Sequence, residues 1–270
     1  MNTEPIYVIP SYRRPFTVCR KTIKTLVDGG VSPTDIQVWV SDQYEREDYA
    51  KTLPEGVGLE VSAPTLRASR NFIARYYPVG TRLVWCDDDL EELIYRDNDI
   101  EYHQVRDIPD LVSEGFEAAD AVGARLWGVY PTDNPLFMFS RVQTGLLFCI
   151  GVFYGHTLRG DDADLVDIHD KDDYERSIKC YLADGSCVRL EYVGIRTKYY
   201  DLPGGMQEYR TDRSAQRSAI IISRRYPKLA TIYRRKGRDR LRLEDKRTAL
   251  TKETNNDYDS AENTNQQNGD

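Results

Sequence analysis

Short apolar runs alternate with segments of helical periodicity over residues 1–125 of the chain. The pattern predicts strands over 6–9, 36–40, 58–62 and 82–86, and helices over 15–28, 45–52, 65–76 and 110–125. Pro15 suits the first turn of a helix, and Gly29-Gly30 is typical of a helix end. This strand–helix alternation favours a mostly parallel sheet that is covered by helices on both faces.

Beyond residue 126 the alternation weakens, and short apolar runs predict strands that are partly antiparallel. We expect strands over 136–139, 145–153 and 188–195, and helices over 172–182 and 211–225. The predicted fold class is therefore α/β, a mostly parallel sheet flanked by helices, with a mixed or antiparallel C-terminal half. We expect one domain over 1–247. The polar composition of 248–270 predicts a disordered acidic tail.

Composition limits the class of protein. The 270 residues are 40% hydrophobic, which is enough for a buried core, and 30% charged. No apolar run reaches bilayer length, and Met1 to Pro5 lack the features of a signal peptide, so we expect a cytoplasmic location without a membrane partner. The odd count of five cysteines, without paired metal spacing, argues against a disulfide framework.

Charge is distributed unevenly along the chain. The net charge is −7, yet residues 224–247 carry eleven Lys and Arg against three Asp and Glu, which is +8. The tail 248–270 is −4, so residues 1–223 are −11. A basic segment on an acidic body favours a surface for polyanions. The alternative is an ordinary solvated charged element.

The strand predicted over 82–86 ends in three consecutive carboxylates, Asp87, Asp88 and Asp89. Adjacent carboxylates repel one another, so this arrangement favours a bound cation. Oxygen ligands suit Mg²⁺ or Mn²⁺, which commonly bridge protein carboxylates and substrate phosphates. The alternative is a solvated acidic turn.

Ligands of an open parallel sheet bind beyond the carboxyl ends of its strands. One rim should therefore hold the segments 10–14, 41–42, 63–67 and 87–89. Tyr12 can stack on a base, and Asp42 can accept hydrogen bonds from a base or a ribose. Arg13, Arg67 or Arg70 can pair with phosphate. The set suits a nucleoside diphosphate with its metal, although each residue alone is also typical of a surface arginine or a capping aspartate.

Several motifs together resemble a GT-A glycosyltransferase: Ile9-Pro10-Ser11-Tyr12-Arg13-Arg14-Pro15, Arg67-x-x-Arg70-Asn71, Trp85-Cys86-Asp87-Asp88-Asp89 and Lys171-Asp172-Asp173-Tyr174-Glu175. The pattern is most similar to the TET/JBP-associated glycosyltransferases, which include the base J glucosyltransferase and bacteriophage relatives. These enzymes are associated with glycosylation of hydroxymethylated pyrimidines in DNA. The resemblance extends over residues 5–245 in the order of its elements.

The resemblance implies roles for the acidic triplet, which matches the DXD metal motif. Asp89 is the expected metal ligand, and Asp87 contacts the metal or the ribose. Asp88 points into the sheet or toward the sugar. GT-A enzymes often add a histidine to the metal or phosphate, and His169 is the expected one. Donor binding falls to Pro10, Tyr12, Arg13, Asp42, Arg67, Arg70, Asn71, Asp87 and Asp88.

The segment 171–175 resembles the family's "EDY" segment at a helix start, with Asp172 in place of the usual Glu. An inverting transfer needs a general base for the acceptor hydroxyl. A carboxylate at a helix N-terminus stays ionised through the helix dipole. We expect Asp173 as the base, with Asp172 second and Glu175 third. The alternative is ordinary helix capping.

These expectations together describe a metal-dependent hexosyltransferase. Residues 1–125 would bind the nucleotide sugar, UDP-glucose by resemblance, with Mn²⁺ or Mg²⁺, and residues 126–247 would bind the acceptor. The expected acceptor is the hydroxymethyl group of a modified pyrimidine in DNA, in the host cytoplasm if the chain is phage-encoded. One alternative keeps the enzyme but changes the acceptor to a polysaccharide or a protein. The second alternative is a non-catalytic nucleotide- or DNA-binding module.

Overall fold

The computed structural model describes residues 4–97, 101–197, 211–235 and 238–247. The chain divides into two compact units, Met1–Ser218 and Ala219–Asp270. Within the described ranges, no helix has both the length and the apolar character needed to cross a membrane. The predicted tail, 248–270, lies outside the described residues.

One large sheet forms the centre of the first unit. Its strands are β1 (Ile6–Pro10), β2 (Ile36–Val40), β3 (Gly58–Val61), β4 (Arg82–Cys86), β5 (Glu92–Arg96), β6 (Tyr102–Gln104), β7 (Leu126–Tyr130), β8 (Val142–Gly145), β9 (Phe153–Thr157) and β10 (Cys187–Arg196). The order is β3-β2-β1-β4-β9-β7-β10-β5-β6, and β8 pairs with β10. Strands β3, β2, β1 and β4 are parallel. Antiparallel β9 separates them from the parallel pair β7 and β10.

The helices are α1 (Pro15–Val18), α2 (Lys24–Asp28), α3 (Gln43–Tyr49), α4 (Leu66–Tyr76), α5 (Ile108–Ala121), α6 (Asp172–Asp184) and α7 (Asp212–Arg225). A π-helical segment, Cys19–Ile23, joins α1 to α2. The second unit contains an antiparallel hairpin of β11 (Ala230–Arg235) and β12 (Arg238–Leu243).

Strand β4 explains how the sheet is covered on both faces. Val84 and Cys86 belong to one buried cluster, whereas Leu83 and Trp85 belong to a second one. Successive strand residues point to opposite faces, so both faces of β4 are buried. Helix α5 packs into the first cluster and α4 into the second. Each large apolar side chain buried in this way contributes about 1.5–3 kcal/mol to stability.

The predicted fold class is confirmed, because the N-terminal strands are parallel and the C-terminal half is mixed. Two predicted strands are wrong. The run 136–139 contains a short 3-10 helix, Pro135–Phe137, whose first turn is capped by the Asn134 side chain. The run 145–153 is largely a loop, because β8 ends at Gly145 and β9 begins only at Phe153.

Candidate active site

The parallel strands β1, β2 and β4 end side by side. Pro10, the last residue of β1, is in register with Trp39 of β2, and Val8 is in register with Trp85 of β4. The amide of Ser11, just beyond β1, donates to the carbonyl of Trp39 at 2.8 Å. The segments that follow these strands therefore share one rim, and the acidic triplet lies on it.

Asp88, the middle residue of the triplet, is held inside the protein. Its carboxylate accepts hydrogen bonds from Ser11 Oγ at 2.7 Å and from an Arg14 guanidinium nitrogen at 2.9 Å. The Tyr49 hydroxyl lies 2.7 Å from Ser11 Oγ and accepts from the Arg14 amide at 2.9 Å. Burial raises the pKa of Asp88, and Arg14 opposes that effect. Asp88 thus points inward, one of its two expected orientations, and fastens the triplet to the loop after β1.

Two threonines, one in the π-helical segment and one in α2, hold the backbone of the triplet and of the residues that follow it. Thr22 Oγ1 donates to the carbonyl of Asp87 at 2.7 Å and accepts from the Leu90 amide at 3.0 Å. Thr25 Oγ1 donates to the carbonyl of Glu91 at 2.8 Å. Thr22 lies in the π-helical segment, a feature that often occurs near functional sites. The loop that carries the carboxylates is therefore pre-organised.

Asp87 and Asp89 flank Asp88 and remain accessible. Their side chains are 36% and 17% exposed, against 9% for Asp88. Asp87 Oδ1 lies 3.3 Å from Arg70, and Asp89 Oδ2 lies 3.3 Å from Arg14. Each of these ion pairs uses one oxygen, and the second oxygen of each carboxylate has no hydrogen-bond or ion-pair partner among the described residues.

The donor set fits a hard divalent cation. Burial raises the pKa of Asp87 to about 7, and the charges of Asp89 and Asp88 add to this effect against the opposing charge of Arg70. A cation at Asp87 and Asp89 would relieve that repulsion. Magnesium-type ions are commonly held by one or two carboxylates together with substrate phosphates, and two free carboxylate oxygens supply this arrangement.

His169, the expected histidine ligand, lies on the surface. Within the described residues, the ring nitrogens of His169 and the carboxylate oxygens of Asp87 and Asp89 do not form a group with all ligand atoms within 4.8 Å of one another. Asp97, Glu101 and His103 do come together in this way, where β5 ends and β6 begins. Asp97 pairs with His103 there, at 2.7 Å. Among the described residues, no histidine therefore joins two carboxylates of the acidic triplet in such a group.

Arg70 of α4 links the triplet to the start of α6. Its buried guanidinium donates to the carboxylate of Asp172, lies 3.3 Å from Asp87 Oδ1 and lies 3.5 Å from the carbonyl of Gly151. A Cβ at position 151 would come within 3.3 Å of the guanidinium, so the glycine permits this close approach. The resemblance implied that Arg70 binds the donor. Its commitment to two carboxylates instead gives it a positioning role.

Asp172, expected as the second choice of base, is buried at the first position of α6. It accepts from Arg70, and its Oδ2 lies 3.4 Å from an Arg176 nitrogen. Two arginines therefore neutralise this carboxylate. A base must be free to accept a proton, and the two arginines oppose such a role for Asp172, whose catalytic assignment stays a prediction.

Asp173, the first-choice base, is less buried than Asp172 and Glu175. Its side chain is half-buried, and among the described residues its carboxylate oxygen accepts from the Tyr174 amide, at 3.0 Å. Burial and the charge of Asp172 raise the pKa of Asp173. A carboxylate with a raised pKa is a stronger base than an ordinary aspartate. Asp173 therefore remains the candidate base.

Glu175, the third choice, is fully buried. Its Oε2 accepts from the amides of Asp167 and Ile168, at 2.7 and 2.9 Å. Those bonds hold the loop that leads into α6, and they keep the carboxylate away from solvent. The expected catalytic role of Glu175 is therefore corrected to that of a loop anchor.

The same loop is held from α4 by two residues that were expected at the donor. Asn71 makes two hydrogen bonds to the backbone of Val166, at 2.8 and 2.9 Å, and Arg67 donates to the carbonyl of Asp167 at 2.9 Å. We call Val166–Ile168 the strap. Both side chains also line an open groove of about 540 Å³. Asn71 is bound to the strap through both of its hydrogen bonds, whereas Arg67 contacts the strap through one nitrogen.

The remaining donor candidates lie at the ends of β1 and β2. The Arg13 guanidinium lies 4.9 Å from the centre of the Tyr12 ring, and the Arg13 amide donates to Glu45 at 2.7 Å. Asp42 is exposed and caps α3 through the Glu45 amide at 3.0 Å, a bond that lowers the pKa of Asp42. Asp42 therefore already performs the capping role that was its alternative explanation.

The sequence analysis gave no individual role to four residues of this site, although it placed Ser11 and Arg14 on the rim. Ser11, Arg14 and Tyr49 form the buried anchor of Asp88. Arg176 lies over the Tyr154 ring at 3.7 Å, and its Nε and one terminal nitrogen have no hydrogen-bond partner in the part of the chain that the structure describes. The spacing of Asp172 and Arg176, four residues apart on one helix, could have indicated their pairing. No pattern in the sequence distinguishes Arg14 from Arg13.

No protein-family model matches the chain, and no curated protein does. Among solved structures, the chain is similar to a mannosyltransferase from Pyrobaculum calidifontis in complex with GDP-Man and Mn²⁺. The TM-score is 0.37 and the sequence identity 13%, with 57% of this chain and 44% of that one covered. The chain thus spans less than half of that protein's length. A likeness of this strength carries no argument about function.

Proposed function

We propose that the protein is a metal-dependent glycosyltransferase that uses a nucleotide sugar. The observation that carries the proposal is the arrangement of the triplet. Asp88 is buried against Arg14, while Asp87 and Asp89 are partly exposed and each pair with an arginine through one oxygen. Asp173 lies at the start of α6, which Arg70 connects to Asp87. Two cation-binding carboxylates and a separate basic carboxylate are the groups that a metal-assisted transfer needs.

Each group has a distinct task in the proposed reaction. Asp87 and Asp89 would hold Mn²⁺ or Mg²⁺, which offsets the negative charge of the departing nucleoside diphosphate. Asp173 takes the proton of the acceptor hydroxyl as that oxygen attacks the anomeric carbon. Arg70 keeps the carboxylate of Asp87 oriented, and Tyr12 with Arg13 offers a ring face and a cation to the donor.

The finer part of the proposal concerns the two substrates. We infer UDP-glucose as donor and a hydroxymethylated pyrimidine in DNA as acceptor. Support comes from the motif resemblance to the TET/JBP-associated glycosyltransferases and from the +8 charge of residues 224–247, which suits a polyanion. The same motif resemblance suggests a phage source.

The proposal is tested by incubating the protein with Mn²⁺, a panel of nucleotide sugars and DNA that contains hydroxymethylated pyrimidines. Mass spectrometry of the digested nucleosides should show a hexose addition. The addition should disappear without the divalent ion. Nucleosides that stay unmodified with every donor contradict the proposed function.

A polysaccharide acceptor is a second candidate, favoured by the groove along α4. Phe72 and Tyr76 are 41% and 57% exposed there, and their rings stack with centroids 6.4 Å apart. Arg67 and Arg75 lie beside them. Exposed aromatic faces with flanking polar groups suit sugar rings. Transfer to oligosaccharides but not to DNA, lost in Tyr76→Ala, would favour this candidate.

A further inference from the structure

The β11–β12 hairpin of the second unit has two chemically different faces. Cross-strand partners lie on the same face of a sheet, and residues two apart along a strand share it. The register pairs Tyr233 with Arg240 and Thr231 with Arg242. One face therefore carries Thr231, Tyr233, Arg235, Arg240 and Arg242, and we call it the cationic face.

The opposite face carries the apolar residues of the hairpin. Ile232 pairs with Leu241, and Ala230 pairs with Leu243. Ala230 and Leu241 are buried, whereas Ile232 and Leu243 are half-buried. Burial of this apolar face leaves the cationic face turned away from the packing.

The cationic face is open and unneutralised. Arg235, Arg240 and Arg242 are exposed, and none has an acidic partner within 4.0 Å among residues 211–235 and 238–247. The Arg242 guanidinium lies 5.3 Å from the centre of the Tyr233 ring, which orders it without consuming its charge. Lys246 Nζ donates to Thr231 Oγ1 at 3.0 Å and extends the positive charge along the face.

We propose that the cationic face binds the sugar–phosphate backbone of duplex DNA. This inference deepens the proposed function and rests on it, since it names the surface that holds a DNA acceptor. Arginines recognise phosphate through paired donors, and a folded hairpin presents them without the entropy cost of ordering a loop. Strand residues two apart lie about 7 Å from one another, a spacing that spans successive phosphates of one DNA strand.

A two-stranded ribbon favours DNA over duplex RNA. The major groove of B-form DNA is about 12 Å wide and admits a two-stranded β-ribbon. The major groove of A-form RNA is deep and narrow, so the same ribbon cannot enter it. Contacts to phosphates alone carry no sequence information, so binding through this face should be nonspecific.

The test compares two variants of the full chain by fluorescence anisotropy with a labelled unmodified DNA duplex across a salt series. Arg240→Gln/Arg242→Gln removes two charges from the cationic face. Arg234→Gln is the matched control, because it removes an exposed charge of the same hairpin from the opposite face. Log affinity falls as log salt rises, at about 0.9 per phosphate contact. In the double variant this decrease should be shallower by about 2. The control should leave the slope unchanged.

Three outcomes overturn the inference: an unchanged slope in the double variant, an equal change in the control, or tighter binding to an RNA duplex than to the DNA duplex. Thermal unfolding of both variants confirms that they are folded. Release of nucleoside diphosphate from the donor, measured without DNA, separates this inference from the proposed function. The double variant should keep that release, whereas Asp89→Asn should lose it and still bind DNA with the wild-type slope.

Discussion

The guanidinium of Arg70 and the carboxylate of Asp172 form an ion pair inside the protein, with side chains that are 6% and 9% exposed. The same guanidinium reaches Asp87 of the acidic triplet. One arginine of α4 therefore fixes a candidate metal ligand and the first residue of α6 relative to each other. The candidate base, Asp173, is the next residue in the chain, so Arg70 also helps to set its position.

Replacing Arg70 should therefore destabilise the protein and disturb the site. Arg70→Met leaves Asp172 without its main partner, and we expect a loss of about 3–5 kcal/mol in the free energy of unfolding, measured with urea. Arg75→Met, on the exposed side of the same helix, is the control and should change it by less than about 0.5 kcal/mol. In Arg70→Met/Asp172→Asn the loss should be smaller than the sum of the single losses. Strict additivity contradicts the ion-pair account.

Neutralising Asp88 and Asp89 should produce different defects. Asp89→Asn removes a cation-binding oxygen from the rim, so we expect at least about a tenfold loss of Mn²⁺ affinity with little change in thermal stability. Asp88→Asn breaks the buried pair with Arg14, so we expect a lower Tm. Calorimetric Mn²⁺ titration and thermal unfolding distinguish the two. A Tm loss confined to Asp89→Asn would reverse the assignment.

Asp173→Asn should lower turnover by about 10²- to 10⁴-fold, because the general base is lost, while donor affinity stays near the wild-type value. The base must be ionised, so activity falls as pH drops through the pKa of Asp173. Because burial and Asp172 raise that pKa, the fall should begin at a higher pH than for an exposed aspartate. A pH–rate profile of the wild type shows the pH at which activity begins to fall. Full activity in Asp173→Asn excludes the role.

Asn71→Ala should loosen the strap. The substitution removes both partners of the Val166 backbone, and Val166 is buried, so we expect a loss of about 1–3 kcal/mol. Hydrogen exchange at the amides of residues 166–168 should become faster. If Asn71 instead contacts the donor, the variant would raise the KM for the nucleotide sugar and leave amide exchange unchanged.

Acid should lower the stability of the folded protein through His156 and Asp164, whose atoms lie 3.0 Å apart in a buried site. Burial lowers the pKa of His156, so the unfolded chain takes up a proton at about pH 6.5, before the folded protein does. Hydrogen bonds from His156 and Gly160 outweigh burial and lower the pKa of Asp164, so its contribution is lost below about pH 4. Stability should therefore fall in two stages on acidification. In His156→Gln the first stage should shrink, and an unchanged first stage in urea unfolding contradicts this account.

Sequence reasoning predicted the elements of the parallel half well, because each strand there is a short apolar run between turn residues. Strands 36–40 and 82–86 agree with β2 and β4. The later half was harder, since the apolar run 145–153 is buried mostly as a loop: Leu147 and Cys149 reach the core without strand pairing. Periodicity reports burial, and it cannot separate a buried loop from a buried strand.

The candidate site was likewise predicted only in part from the sequence. The sequence placed carboxylates and arginines together on one rim, because parallel strands end at a common edge. It could not say which charges neutralise one another. Arg70 and Asp172 have the residue types of catalytic groups, yet they are buried against each other although 102 positions separate them in the chain. Such pairings depend on tertiary packing, which local patterns do not encode.

The metal-binding role of the triplet can be measured as the release of nucleoside diphosphate from a panel of nucleotide sugars, with and without Mn²⁺, by wild-type protein and Asp89→Asn. We expect release by the wild type with at least one donor, dependent on the divalent ion and faster with hydroxymethylated DNA present. Folded Asp89→Asn should release none above background. Equal release by both proteins, or none from any donor with any divalent ion, contradicts the assignment of the triplet as the metal-binding part of a glycosyltransferase.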